Sequence, residues 1–333
     1  APKSSSARSQ GARLRSGGLA RACGILRAAS QQKAEDACAT VTLAEFVYTT
    51  LLKPRLLRRA ANAAIRASLP ERVRVGEAIV WLNPDDPVVS GALSFGLYER
   101  GEIAFFRSRF GADMVFIDVG ANVGLYSAMA LSTPGFRGRV LAIEPHRESR
   151  RYLQKTMQSN AAPAGAALIC ELAASDRPGT LPLYENPENK GDNRVYPDPL
   201  LHGEETVDAD SLDNICRRHG ISTAQFIKID VQGAEAKVVR GASRLLAGSS
   251  DCILMTEFWP YGLARCGADA LEYLEMLRDL GFRLYELPDK SGVPAPVASP
   301  RALVERTTGR RYANLVGLKG ESVLRTVNSA RQS

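Results

Sequence analysis

The stretch MVFIDVGANVG (114–124) decides the fold. A continuously apolar run ends in Asp118, Gly120 and Gly124 follow with Asn122 between them, and helical periodicity begins at once over residues 124–131. A strand buried on both faces reads as such an unbroken run, so strand, tight turn and helix succeed one another here. Glycine permits the turn and lets a ligand approach the backbone closely. Asn is among the few other residues that tolerate positive φ, so Asn122 can stand where a middle glycine would be expected. The spacing is GxxxG, which differs from the GxGxxG of a pyrophosphate cradle.

Outward from this turn the pattern repeats. Residues 138–145, 166–174, 225–233, 252–258 and 282–287 each read as a short apolar strand, and residues 147–159, 210–219, 235–246 and 268–280 carry helical period between them. This alternation predicts an α/β fold, a doubly wound and mostly parallel sheet covered on both faces. The last apolar run, 311–320, follows a Pro-rich loop without a crossover helix and is expected to pair antiparallel, at the centre or the edge. Ligands of such sheets bind beyond the carboxyl ends of the strands. Glu144 ends the second strand, 20 residues after Gly124, where a carboxylate can accept from both hydroxyls of a ribose.

The motifs DVGANVG (118–124), AIEPH (142–146) and FIKIDVQGAE (226–235), in this order, resemble the FkbM-type S-adenosylmethionine-dependent methyltransferases. The likeness begins near Tyr98-Glu99, similar to a Tyr-Glu pair that the family places before its first strand, and runs to about residue 320. It implies a class I, Rossmann-like methyltransferase with S-adenosyl-L-methionine as cofactor. Asp118, Gly120, Asn122 and Gly124 would surround the methionine part and Glu144 the ribose. By position, Ser175 and Asp176 after the third strand would lie near the adenine. Gln232 departs from the family, which commonly has Glu there, and any role of that carboxylate is in doubt in this chain.

A methyl sulfonium is already activated, so the protein has to place an acceptor in line and help remove its proton. The expected function is O-methylation of a hydroxyl on a carbohydrate or another small metabolite, an acceptor range that comes from the resemblance alone. A dinucleotide-dependent oxidoreductase and a catalytically silent binding or scaffold protein are the alternatives, and the absent GxGxxG disfavours the first.

Asp230 and Glu257, at the ends of the fourth and fifth strands, are the candidate catalytic carboxylates, with His202 in the Pro/Asn/Gly-rich insertion 184–206 as a third candidate. That insertion is long enough for an acceptor-binding flap or a floppy loop. Lys228 shares a face with Asp230 by strand alternation and can pair with it. Asp230 could alternatively cap the following helix, and Glu235 reads as a first-turn acid favoured by the helix dipole. Asp230 and Glu257 could also hold a divalent cation, although no third ligand stands out and no metal site is assigned. His146 can line the cofactor pocket, and His219 ends a helix.

The net charge of +7 is misleading: residues 1–74 hold 14 Lys and Arg against 4 Asp and Glu, leaving 29 against 32 for the remainder. A slightly acidic main body implies no broad phosphate-binding face, so nucleic acid is not an expected partner. The six cysteines show no metal-ligand spacing and read as cytoplasmic thiols. Residues 1–40 read as a basic, disordered leader and 41–74 as a helical extension, which can pack on the main domain or lie on an anionic membrane surface. The domain is expected over 75–320, with a tail at 321–333. No apolar run is long enough to span a membrane, so the expected location is cytoplasmic or peripheral at a membrane.

Overall fold

The computed structural model describes residue 62 and residues 66–324 except 161, 188, 289 and 290. The chain divides into two units, residues 1–61 and 62–333. The expected leader, the tail beyond 324 and most of the stretch 41–69 lie outside the described residues. The helical extension does not reach residue 74: RVRVGEAIVW has period two about a Gly-Glu turn, and β1 (Arg72–Val75) and β2 (Ala78–Trp81) form a hairpin. Two helices follow, α1 (Pro87–Ser94) and α2 (Arg100–Arg109).

The central sheet begins with β3 (Val115–Val119), followed by α3 (Leu125–Leu131), β4 (Arg139–Ile143), α4 (Arg147–Gln158) and β5 (Ala167–Cys170). The run 166–174, read as one strand, breaks after Cys170, and β6 (Ala173–Ser175) joins a separate sheet of three with β7 (Gly179–Glu185) and β8 (His202–Ser211). Then come α5 (Leu212–Arg218), β9 (Phe226–Ile229), α6 (Glu235–Arg240) and α7 (Ser243–Gly248). The single helix expected over 235–246 is split at Gly241, where a Cβ would stand 1.9 Å from the Ser175 carbonyl oxygen. The chain closes with β10 (Cys252–Phe258), α8 (Pro260–Arg265), α9 (Ala270–Asp279), β11 (Arg283–Glu286), β12 (Ala295–Pro296), α10 (Pro300–Arg306) and β13 (Ala313–Lys319).

The eight-stranded order is β12-β11-β13-β10-β9-β3-β4-β5. Strands β10, β9, β3, β4 and β5 are parallel, and β13 lies antiparallel between β10 and β11, the central of the two placements expected for it. The chain steps from β3 outward to β5, then returns to β9 and steps outward on the other side. The strand order therefore reverses beside β3, where sheets of this class bind ligands.

Alternation along the strands sorts the side chains between two cores. Ile117, Val119, Ile227 and Ile229 join the core under α5, α6, α7 and α9. Phe116 and Phe226 join the other, with α2, α3 and α4, and the same alternation turns Asp118 and Lys228 toward α3. On β10, Ile253 and Met255 belong to this second core, so Glu257 shares that face.

Candidate active site

Three alternate positions of the β3–α3 connection are left-handed: Gly120 at φ 80°, Asn122 at 49° and Gly124 at 87°. At Gly120 a Cβ would come within 1.9 Å of the Asp230 backbone oxygen, so only glycine lets the turn press against the end of β9. Asp118 is buried, and its Oδ2 accepts from the Ser127 backbone N–H (3.1 Å) and hydroxyl (2.7 Å), which pins the start of α3. Glu144 Oε2 accepts from Asn122 N–H at 2.8 Å and Oε1 from His146 N–H at 2.9 Å. Glu144 thus ties the two βα turns together and is not a helix cap. That task falls to the His146 side chain, whose Nδ1 accepts from Ser149 N–H at the start of α4. Burial pushes the Glu144 carboxyl up to about 7 and that of Asp118 up to about 6.

Beside this turn, β9 supplies Lys228 and Asp230, joined Nζ to Oδ2 at 2.8 Å as their positions in the strand predict. Gln232 donates its amide to Asp230 Oδ1 at 2.8 Å, a contact that a Glu at this position could not make while ionised. The Lys228 ammonium lies 4.8 Å from the centroid of the Tyr126 ring, and the Tyr126 hydroxyl donates to Glu99 Oε2 at 2.6 Å. Glu99 itself holds φ 39°, an uncommon conformation for a side-chain-bearing residue. Burial alone would lower the Lys228 ammonium, but Asp230, Glu99 and Asp118 outweigh it and raise the group. Tyr98, Asp118, Asn122, Tyr126, Lys228 and Asp230 line one small cavity of about 40 Å³. Asn122 Oδ1 is enclosed and has no protein hydrogen-bond partner.

Asp230 does not cap α6. Glu235 Oε1 accepts from Val231 N–H and Gly233 N–H, both at 3.1 Å, so the first-turn acid fills that structural role. Glu257 Oε2 is enclosed without a protein partner, and burial, reinforced by the negative charge of Asp230 and Glu235, raises its carboxyl well above the ordinary range. Such a shift favours the protonated form, which can donate a hydrogen bond. Among the described residues no group of three His, Cys, Asp or Glu side chains is placed to hold a metal ion.

The insertion is structured. Its flanks extend β7 and β8, and residues 186–201 form a strap between them. Arg194, 4% exposed, pairs with Asp192 and Asp198 and stacks over Trp259 at 4.8 Å from the ring centroid. The strap is thereby fastened to the turn that follows β10. Its Gly191 lines the cavity, and a Cβ built there would stand 3.2 Å from Asn122 Nδ2. The Gly191 N–H donates to Asn189 Oδ1 at 3.1 Å, which fixes the turn within the strap.

Of the residues singled out by sequence, Asp118, Gly120, Asn122 and Asp230 line the cavity, and Gly124 and Glu144 shape its turn. Ser175 and Asp176 sit at the end of β6, where the Ser175 hydroxyl donates to Asp176 and its backbone packs on Gly241. His202 is exposed at the start of β8, opposite Glu185, and does not line the cavity. His219 ends α5 as expected. Tyr126, Glu99 and Arg194 were not singled out as site residues. Only Glu99 had a signal, as half of the Tyr-Glu pair.

The left-handed turn, the orphaned Asn122 oxygen and a buried set of one ammonium and several carboxylates suit a ligand that approaches the backbone closely and carries both signs of charge. These are the demands of S-adenosylmethionine. The family described as the methyltransferase FkbM domain matches residues 118–284. Methyltransferase sdnD of Sordaria araneosa is 30% identical over 156 residues, covering 38% of this chain and 59% of the relative. A methyltransferase FkbM from Methylobacillus flagellatus superposes with a TM-score of 0.41 at 16% identity, over 80% of this chain and 60% of that one. TYW2 of M. jannaschii, solved with AdoMet, gives 0.38 at 11% identity over 74% of this chain and 84% of that one. The chain thus spans about three fifths of the length of sdnD and of the M. flagellatus protein. With its family matched over just over half its length, the chain belongs to the FkbM methyltransferase domain family, and S-adenosylmethionine is its cofactor.

Proposed function

We propose that this chain methylates a hydroxyl oxygen of a carbohydrate or another small metabolite, with Asp230 taking the hydroxyl proton. The observation that carries the assignment is the accessibility of Asp230. Its side chain retains 23% exposure at the cavity edge, whereas Asp118 is 1% exposed and Glu257 Oε2 is enclosed. The cofactor supplies an activated methyl group. With the cofactor bound, an acceptor oxygen would take that methyl from sulfur, and Asp230 would take the proton of the hydroxyl. Lys228 and Gln232 fix the carboxylate in one orientation, which a general base requires. In its protonated form Glu257 can donate to an acceptor oxygen from the neighbouring strand end. Gly191 lines the cavity with Asn122 and so bounds the space a cofactor would enter.

Incubation with isotope-labelled methyl donor and a panel of sugars and small polyols tests the reading. Label recovered in a product that resists mild alkaline hydrolysis, as a methyl ether does, supports it. Label recovered as an ester, or on nitrogen or carbon, contradicts it.

A further inference from the structure

We infer that Lys228 binds the carboxylate of the amino-acid end of the cofactor, an assignment that rests on the cofactor reading above. Lys228 is a cavity-lining ammonium 8% exposed, set on the strand beside the glycine turn with its Cα partnered across the sheet to Asp118. Of its three N–H bonds one goes to Asp230 Oδ2. The Tyr126 ring lies against the ammonium at 4.8 Å, and the hydroxyl of that ring is anchored on Glu99 at 2.6 Å, so the ammonium is fixed from two sides.

A buried cation is held at a cost unless its partners are worth it. A lysine needed only to neutralise Asp230 could do so from the surface, where that side chain is partly exposed. Inside the cavity it faces the same space as the orphaned Asn122 Oδ1 and the carboxylate of Asp118. This is a complementary set for a zwitterion: the ammonium of Lys228 for a carboxylate, and Asp118 with the Asn122 oxygen for an ammonium. A cavity of carboxylates alone would attract the positive charges of the cofactor and repel its carboxylate. Lys228 removes that repulsion with a buried donor on the wall of the cavity.

Titration calorimetry on the whole chain with two ligands tests this: S-adenosylhomocysteine, and its decarboxylated analogue, which keeps the amine and lacks only the carboxylate. The wild-type chain is expected to bind the first about tenfold more tightly or better, the size of one charge-assisted hydrogen bond. Lys228→Met should bring the two affinities together, chiefly by weakening the first. Equal wild-type affinities would overturn the inference even if the variant failed to fold, and so would a preference that survives in Lys228→Met. Binding of neither ligand by the wild type would remove the cofactor reading itself, and this inference with it.

Discussion

The two sides of the sheet's carboxyl edge are finished differently. On the β3–β4 side both oxygens of Glu144 and Oδ2 of Asp118 accept N–H groups of the adjoining turns and helix, and Asn122 Oδ1 is left without a protein partner. On the β9–β10 side, Glu257 Oε2, Trp259 Nε1 and the nearby Tyr196 hydroxyl are enclosed without protein partners, and Asp230 stays partly open. Buried polar groups without partners cost stability and are rare, so each marks a place where a ligand's own polar groups can serve. The β3–β4 carboxylates are thus held by the fold itself, and the β9–β10 side is the more open of the two.

The strap joins the two sides, and removing its fastening gives the largest expected effect. Arg194→Ala leaves Asp198, whose side chain is fully buried, without its nearest cation and strips a cation from the Trp259 face. Breaking a buried pair from one end costs about 3–5 kcal/mol. Thermal melts should show a large loss of stability, and a melt unchanged from wild type would mean the strap is not fastened there. The partial pairing of Asp198 with Arg310, at 3.4 Å, sets the lower end of the range.

Asp230→Asn comes next. Turnover on an identified acceptor should fall about 10²-fold or more if the carboxylate takes the proton. Full turnover in this variant would move the base to another group and make the open side a binding surface only.

Much of this was legible in the sequence, and the gaps have physical causes. The glycine turn, Glu144 at its strand end and the Lys228–Asp230 pair follow from local period and spacing, because each depends on neighbours in the chain. Gly241 splits a helix because Ser175, 66 positions earlier, packs against it. Nothing local announces that contact. The break between β5 and β6 is equally hidden, since CELAAS stays apolar enough to read as one strand while the chain changes sheets. Tyr126 reads as one more apolar position of α3, and only the fold puts Lys228 and Glu99 against it.

A smaller effect should appear in the pH dependence of stability. Burial raises Asp86, Glu144 and Glu235 to about 7 and Asp118 to about 6, with Glu257 raised as well. Each binds its proton more tightly folded than unfolded, so the stability it contributes is full below its unfolded value near 4 and is lost as pH rises through its folded value. His146 and His219, both lowered by burial, act in the opposite sense but are outnumbered. Melting temperature should therefore fall between about pH 5.5 and pH 8. A rise over that range would mean these carboxyls are ionised in the fold at ordinary pH.

The division of the edge is tested most directly by titrating S-adenosylhomocysteine at pH 8, where Glu144 is mostly ionised, into the wild type, Glu144→Gln and Asp230→Asn. Glu144→Gln should bind about tenfold more weakly or worse, since a charge-assisted hydrogen bond is worth roughly 1.5–3 kcal/mol. Asp230→Asn should stay within a few fold of the wild type. Wild-type affinity in Glu144→Gln, or an equal loss in both variants, would contradict the account.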